Sequence, residues 1–165
     1  MKNRILFLLS AVLLVGSCGV LTETRQERQE REAREALWVA EHVPAGDFTV
    51  TIDRMYPLRG TSRTVTSYSV RVHDGVLESY LPYIGQAWRV PYGGGHALNF
   101  TADIGNYVVS QTKKDAYEVQ LYVKTDEDEH IYLFTIFDNG RVSLDVQSGN
   151  RERISYSGLI SFPEE

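Results

Sequence analysis

The chain has 165 residues and a formal charge of −5 at pH 7, which allows about one domain and argues against a general nucleic-acid binder. It contains a single cysteine, so no disulfide can form within the chain and no cysteine pair is available for zinc.

The N-terminus predicts an exported lipoprotein. Residues 1–17 join a positive start to an apolar run, Ile5–Val15, which is too short to span a bilayer but suits a signal peptide. The sequence Val15-Gly16-Ser17-Cys18 resembles the lipobox of bacterial lipoproteins, which implies cleavage between Ser17 and Cys18 and acylation of the cysteine. Signal removal takes the formal charge from −5 to −7, so membrane attachment must come from the acyl chains. An ordinary secretory signal with an incidental cysteine is the alternative.

This anchor predicts a lipid-attached protein of the cell envelope. Gly19 provides no acidic retention signal, which favours the outer membrane, with the domain facing the periplasm.

A charged helix is predicted next. Residues 22–42 lack glycine and proline and space acid and base four apart, as in Glu27 and Arg31. A short apolar stripe ends at Ala40, so the pattern predicts a solvated helix whose last turns dock on the domain. Pro44 to Gly46 end it. Residues 18–46 are therefore interpreted as a lipid-anchored cysteine and a helical tether.

From residue 47 the hydrophobic period changes to two, which indicates half-buried strands. The dipeptides Asp74-Gly75 and Asn139-Gly140 predict type I′ hairpin turns. The predicted strands are residues 47–53, 66–73, 76–81, 97–102, 106–112, 116–124, 130–137, 141–147 and 151–157. The fold class is all-β, and residues 47–162 are expected to form a small antiparallel β-barrel of eight to nine strands, mostly a meander. A sandwich is the other architecture compatible with the strands, but a barrel leaves no open edges.

Two irregular stretches, 54–63 and 82–96, interrupt this rhythm and carry the candidate site. They concentrate aromatic rings with polar tips and arginines, the side chains that bind sugars, headgroups or peptide termini. The predicted ligand or partner surface at one barrel end consists of Tyr56, Arg59, Tyr83, Trp88, Arg89 and Tyr92. The alternative is that these rings form a buried plug.

The same stretches carry a family resemblance. The blocks at 54–60, 80–83, 91–95 and 98–100, with 124–128 and 138–140, are similar to the signature of domain-of-unknown-function family 4251, lipoproteins of Bacteroidales-type bacteria. The similarity covers about residues 30–158. It implies a lipocalin-like barrel behind a lipobox and implies no activity.

Other motifs indicate neither a metal nor a cofactor. Gly93–Gly95 lacks the lysine of a P-loop and is interpreted as a tight loop. Asp126–Glu129 lacks the pattern of an EF-hand and is interpreted as solvated charge at a loop tip. The histidines show no metal-ligand spacing, and no catalytic motif is present, so an enzyme is not expected.

Three functions remain open: a non-catalytic module that binds a small ligand, glycan or peptide in or on the barrel, an accessory envelope protein that acts through protein contacts, and, least favoured, a hydrolase. A ligand barrel should be hollow. An accessory protein should have a filled barrel and an exposed aromatic patch. An enzyme should place a carboxylate or histidine pair within hydrogen-bond reach in a cleft.

Overall fold

A computed structural model describes residues 24–89, 96–112 and 116–163. The predicted signal peptide, the cleavage position at Ser17 and the acylated Cys18 lie outside these ranges. None of the helices in the described part of the chain is both long and apolar enough to cross a membrane.

In the part of the chain that the structure describes, one helix precedes the strands. Helix α1 spans Arg25–Ala45 and begins with a capping box, in which the Glu27 amide donates to Thr24 Oγ1 (3.2 Å) and the Thr24 amide donates to the Glu27 carboxylate (2.7 Å). It ends where Gly46 adopts a φ of +72° and donates to the carbonyl of Val43. The chain divides into two compact units within this helix, Met1–Arg31 and Glu32–Glu165.

The last turns of α1 belong to the barrel core. Val39 and Val43 are fully buried, whereas Leu37, part of the predicted apolar stripe, is 71% exposed. The Trp38 ring stacks on His42 at 4.1 Å and meets the edge of Phe162 at 5.3 Å. The Tyr107 hydroxyl donates to the carbonyl of Val43, and burial raises the pKa of Tyr107 to about 12. These turns therefore close one end of the barrel, which is called the helix end.

Eight antiparallel strands form the closed barrel. They are β1 Phe48–Pro57, β2 Arg63–His73, β3 Val76–Tyr80, β4 Asn99–Gln111, β5 Ala116–Lys124, β6 Glu129–Phe137, β7 Arg141–Ser148 and β8 Arg151–Ile160. Each strand pairs with the next in sequence, and β1 pairs with β8 from Val50↔Ile160 to Pro57↔Ile154. The predicted barrel and its meander are confirmed.

Two strand predictions are corrected. The strands expected at 97–102 and 106–112 are one continuous strand, β4, because Gly105 lies at a register shift and bends the strand without ending it. The stretch 54–63 is irregular only at 58–62, since β1 continues to Pro57 and β2 begins at Arg63.

The hairpin turns also differ from the prediction. Asp74 and Gly75 have φ of 50° and 75°, as a type I′ turn requires. Asn139 does not have positive φ; the Gly140 amide bonds to the carbonyl of Phe137, and Gly140 alone is left-handed, with a φ of 73°. The second turn is therefore centred on Asp138-Asn139 and followed by a left-handed glycine.

Large side chains fill the barrel interior. Tyr132, Phe134 and Tyr156 are each at most 2% exposed, and the Phe134 ring packs edge-on against Phe48 at 5.6 Å and stacks on Tyr132 at 6.3 Å. Truncating a buried ring of this kind typically costs about 3–5 kcal/mol of stability. The described core is therefore packed rather than hollow.

Candidate functional site

The candidate surface lies at the end of the barrel opposite α1, called the loop end. Here β1, β3, β5 and β7 end and the strands that follow them begin, so the antiparallel topology gathers four connections at one rim. Three are short: 58–62, 125–128 and 149–150. The fourth runs from residue 81 to residue 98, and its described residues 81–89 are called the cap segment.

The cap segment leaves the sheet and crosses to another wall of the barrel. Pro82 has no amide hydrogen, so it cannot donate to a sheet ladder beyond Tyr80. The segment then pairs with the start of β8: the Glu152 amide donates to the carbonyl of Gln86 (2.9 Å), and the Trp88 amide donates to that of Asn150 (2.8 Å). The cap segment thus lies over the loop end and is held by the start of β8.

Buried hydroxyl groups attach both ends of the β3–β4 connection to the core. Tyr156 donates to the carbonyl of Pro82 at 2.6 Å. Ser79 donates to the carbonyl of Leu98 at 2.7 Å and accepts from the Tyr132 hydroxyl at 2.9 Å. Burial raises the pKa of both tyrosines above the ordinary value, so both remain protonated donors at neutral pH.

Glu152 joins the cap segment to the β1–β2 turn. Its side chain is 5% exposed; Oε2 accepts from the Gln86 amide at 3.1 Å, and Oε1 lies 3.3 Å from Arg59 Nε. The Tyr83 hydroxyl is shared between the carbonyls of Gln86 (2.8 Å) and Glu152 (3.2 Å), and burial is the main cause of its raised pKa. One buried carboxylate therefore brings two irregular stretches together.

Five of the six predicted site residues are described by the structure, and four of these five are exposed. The side chain of Arg59 is 71% exposed, Trp88 is 65% exposed, Tyr56 is 42% exposed, and Arg89 is also exposed. Tyr83 is half-buried and packs against the hydrophobic core. Tyr92 lies outside the described residues. The four exposed residues are together called the cap surface: Tyr56, Arg59, Trp88 and Arg89.

The residues that position this surface lie in the β7–β8 turn and at the start of β8, and none of them is among the predicted site residues. Asn150 accepts from Trp88, Glu152 holds Arg59, and the Arg151 guanidinium lies 5.7 Å from the centre of the Tyr83 ring. Arg151 is 6% exposed, and its Nε has no hydrogen-bond partner among the described residues. Arg151 and Glu152 are buried in succession, which breaks the period of two, and a polar run beside a turn gives no signal that could have identified them.

The acidic β5–β6 turn departs from its prediction. Asp128 is 8% exposed rather than solvated, and its carboxylate accepts from the Asn150 amide (3.1 Å), the Asn150 side chain (3.2 Å) and the Glu129 amide (2.9 Å). Glu127 accepts from the His96 amide at 3.2 Å and lies 3.8 Å from Arg151. These carboxylates fasten loops together, and no group of three metal-ligating side chains occurs in the described ranges.

One cleft of the described surface is lined by both a histidine and carboxylates. This cleft of about 400 Å³ lies between the start of β4 and the β5–β6 turn, where His96 contributes its backbone amide to Glu127. His130 is buried against the Phe100 ring at 4.8 Å, and desolvation lowers its pKa. His73 bonds to Asp47 at 2.8 Å, but on the exposed β2–β3 turn.

Comparison with known proteins assigns a family and a fold. The family model described as "Domain of unknown function (DUF4251)" matches residues 27–160. The crystal structure of a DUF4251 family protein from Bacteroides eggerthii DSM 20697 superposes with a TM-score of 0.60 at 15% sequence identity, covering 80% of this chain and 90% of that one. No curated protein matches the sequence. At this identity the structural likeness supports the fold alone.

Proposed function

Because the chain belongs to the DUF4251 family, whose description names no activity, we propose from its own geometry that it is a non-catalytic binding module of the cell envelope. In this proposal it is lipid-anchored through Cys18, in the outer membrane with the domain facing the periplasm. It engages its ligand or partner on the cap surface and not inside the barrel.

The carrying observation is that the loop end is closed while its outer side remains exposed. The interior beneath it is filled by rings such as Tyr132 and Tyr156, which are at most 1% exposed. Trp88 above it is 65% exposed although its own backbone is fixed to Asn150. A large exposed aromatic side chain on an ordered backbone loses little conformational entropy on binding, which is a property of interface anchors.

A hydrolase is less well supported than the other two functions left open by the sequence, and so is a binding module whose ligand lies inside the barrel. A hollow ligand barrel needs an internal cavity, whereas the described core is packed. A hydrolase needs an acid or base positioned in a cleft; in the cleft beside the β5–β6 turn, His96 contacts Glu127 through its backbone amide and not through its ring. The binding module on the outer surface and the accessory protein both use the cap surface, and they differ in the class of partner.

Site-specific photo-crosslinking in cells tests this proposal. A photoreactive benzoylphenylalanine replaces either Trp88 or Phe137, which is 39% exposed at the helix end and serves as the matched control. We expect adducts from position 88 and few from position 137, and mass spectrometry of the adducts gives their class. Adducts from position 137 alone, or from neither position, would contradict binding at the cap surface.

A further inference from the structure

One part of the loop end is locally rich in arginine. The stretches 54–63 and 82–89 contain four arginines, at positions 54, 59, 63 and 89, and no acidic residue. All four arginines are exposed. Acidic residues lie close to the cap segment, because Asn150, which holds the Trp88 amide, also bonds to Asp128, but the Asp128 carboxylate is buried and Glu127 lies 3.8 Å from Arg151. The chain is acidic as a whole, so the positive charge beside the cap surface is a local feature.

The four arginines can contact a ligand because their side chains are exposed. The buried Glu152 forms an ion pair with Arg59 and so neutralises one of the four arginines. Most of the Arg59 side chain remains in solvent. Arg54 bonds at 3.5 Å to the neutral hydroxyl of Ser62. A guanidinium presents a planar fork of donors that matches a carboxylate, so these arginines favour a carboxylate-bearing ligand.

The aromatic rings specify the rest of the ligand. Trp88 and Tyr56 are exposed at the surface instead of lining a deep pocket, so they can stack on flat apolar faces, such as the C–H face of a sugar ring, but cannot enclose a side chain. Exposed rings and arginines outside a deep pocket suit an extended polymer better than a compact small molecule.

Resting on the proposed function, we infer that the cap surface binds a carboxylate-bearing glycan. Sugar rings stack on Trp88 and Tyr56, and their carboxylates pair with Arg89, Arg63 and the exposed part of Arg59.

Calorimetric titration of the purified full mature chain with oligogalacturonate tests this inference. The same oligomer with methyl-esterified carboxylates is the ligand control, because it keeps the sugar rings and removes the charge. The variants are Trp88→Ala and Arg89→Gln, and the matched controls at the helix end are Phe137→Ala and Arg141→Gln. Circular dichroism confirms that each variant is folded.

We expect the acidic oligomer to bind and the ester to bind at least about tenfold more weakly. Both loop-end variants should weaken binding by a similar factor, both helix-end variants should not, and added salt should weaken it further. Equal binding of acid and ester would overturn the acidic specificity. Absence of binding by the oligomer, with position 88 still forming crosslinks in cells, would overturn the glycan and leave the proposed function intact. Absence of both oligomer binding and crosslinks from position 88 would overturn the glycan inference and the proposed function together.

Discussion

Alkaline pH should destabilise this barrel steeply, because several tyrosine hydroxyls are buried in it. An unfolded tyrosine has a pKa near 10, whereas burial raises the pKa of Tyr132 and Tyr156 above that value and that of Tyr107 to about 12. Above pH 10 the unfolded chain releases these protons and the folded chain retains them. The folded state then binds more protons, so its stability is complete below about pH 10 and falls as the pH rises.

The slope follows from the number of hydroxyls. Each contributes about 1.4 kcal/mol per pH unit, so the three together should remove about 4 kcal/mol of unfolding free energy per unit above pH 10. The contribution of Tyr107 levels off near pH 12, its folded pKa. A domain with a stability of about 5–15 kcal/mol should therefore unfold within one to a few pH units.

Urea unfolding at pH 8, 10, 10.5 and 11, followed by circular dichroism, measures this slope. Tyr156→Phe removes the hydrogen bond to Pro82 and should cost about 1–1.5 kcal/mol at pH 8. It should also flatten the alkaline slope by about 1.4 kcal/mol per unit. Tyr80→Phe, at a residue that is 54% exposed, is the control for substitution itself. An alkaline slope in Tyr156→Phe equal to that of the wild type would refute the reasoning.

Three further predictions concern stability and are checked by urea unfolding at pH 7. Glu152→Gln should cost about 1.5–3 kcal/mol, because an amide oxygen can still accept from Gln86 but cannot replace the charged contact with Arg59, and an unchanged midpoint would show that this ion pair is dispensable. A chain that starts at Glu32 should be as stable as the full mature chain, whereas a start at Ala45 removes two buried valines and should cost about 3–6 kcal/mol; equal stability would place α1 outside the core. Gly158→Ala should cost about 3 kcal/mol or more, since its Cβ would lie 2.1 Å from a carbonyl oxygen of β1, and a stable variant would contradict the close approach of β1 and β8.

The strands could be predicted because their information is local. In β5, Val119, Leu121 and Val123 alternate with exposed residues, and the buried side chains are the ones the alternation predicts. Asp74-Gly75 likewise defines its turn within two residues. Closure of the barrel was an inference from strand number and short turns, and it proved correct.

The candidate site could be predicted only in part, because it depends on contacts between distant residues. The composition of the stretch 82–89 indicated a surface, but the burial of Tyr83 depends on Glu152, which is 69 positions away. Asp128 appeared solvated in sequence because its partner, Asn150, is 22 positions away. Nothing in a local pattern reports such pairs.

The attachment of the cap segment to β8 also constrains the order of folding. Gln86 and Glu152 are 66 positions apart, and Asp53 of β1 is 104 positions from its β8 partner Ser157. Both contacts wait for the C-terminal strand, so a chain that emerges from its N-terminus keeps its loop end open until synthesis is nearly complete. Contacts of such large sequence separation form slowly. During that interval the apolar side chains of β1–β7 lack their final cover, so the incomplete chain is prone to aggregation.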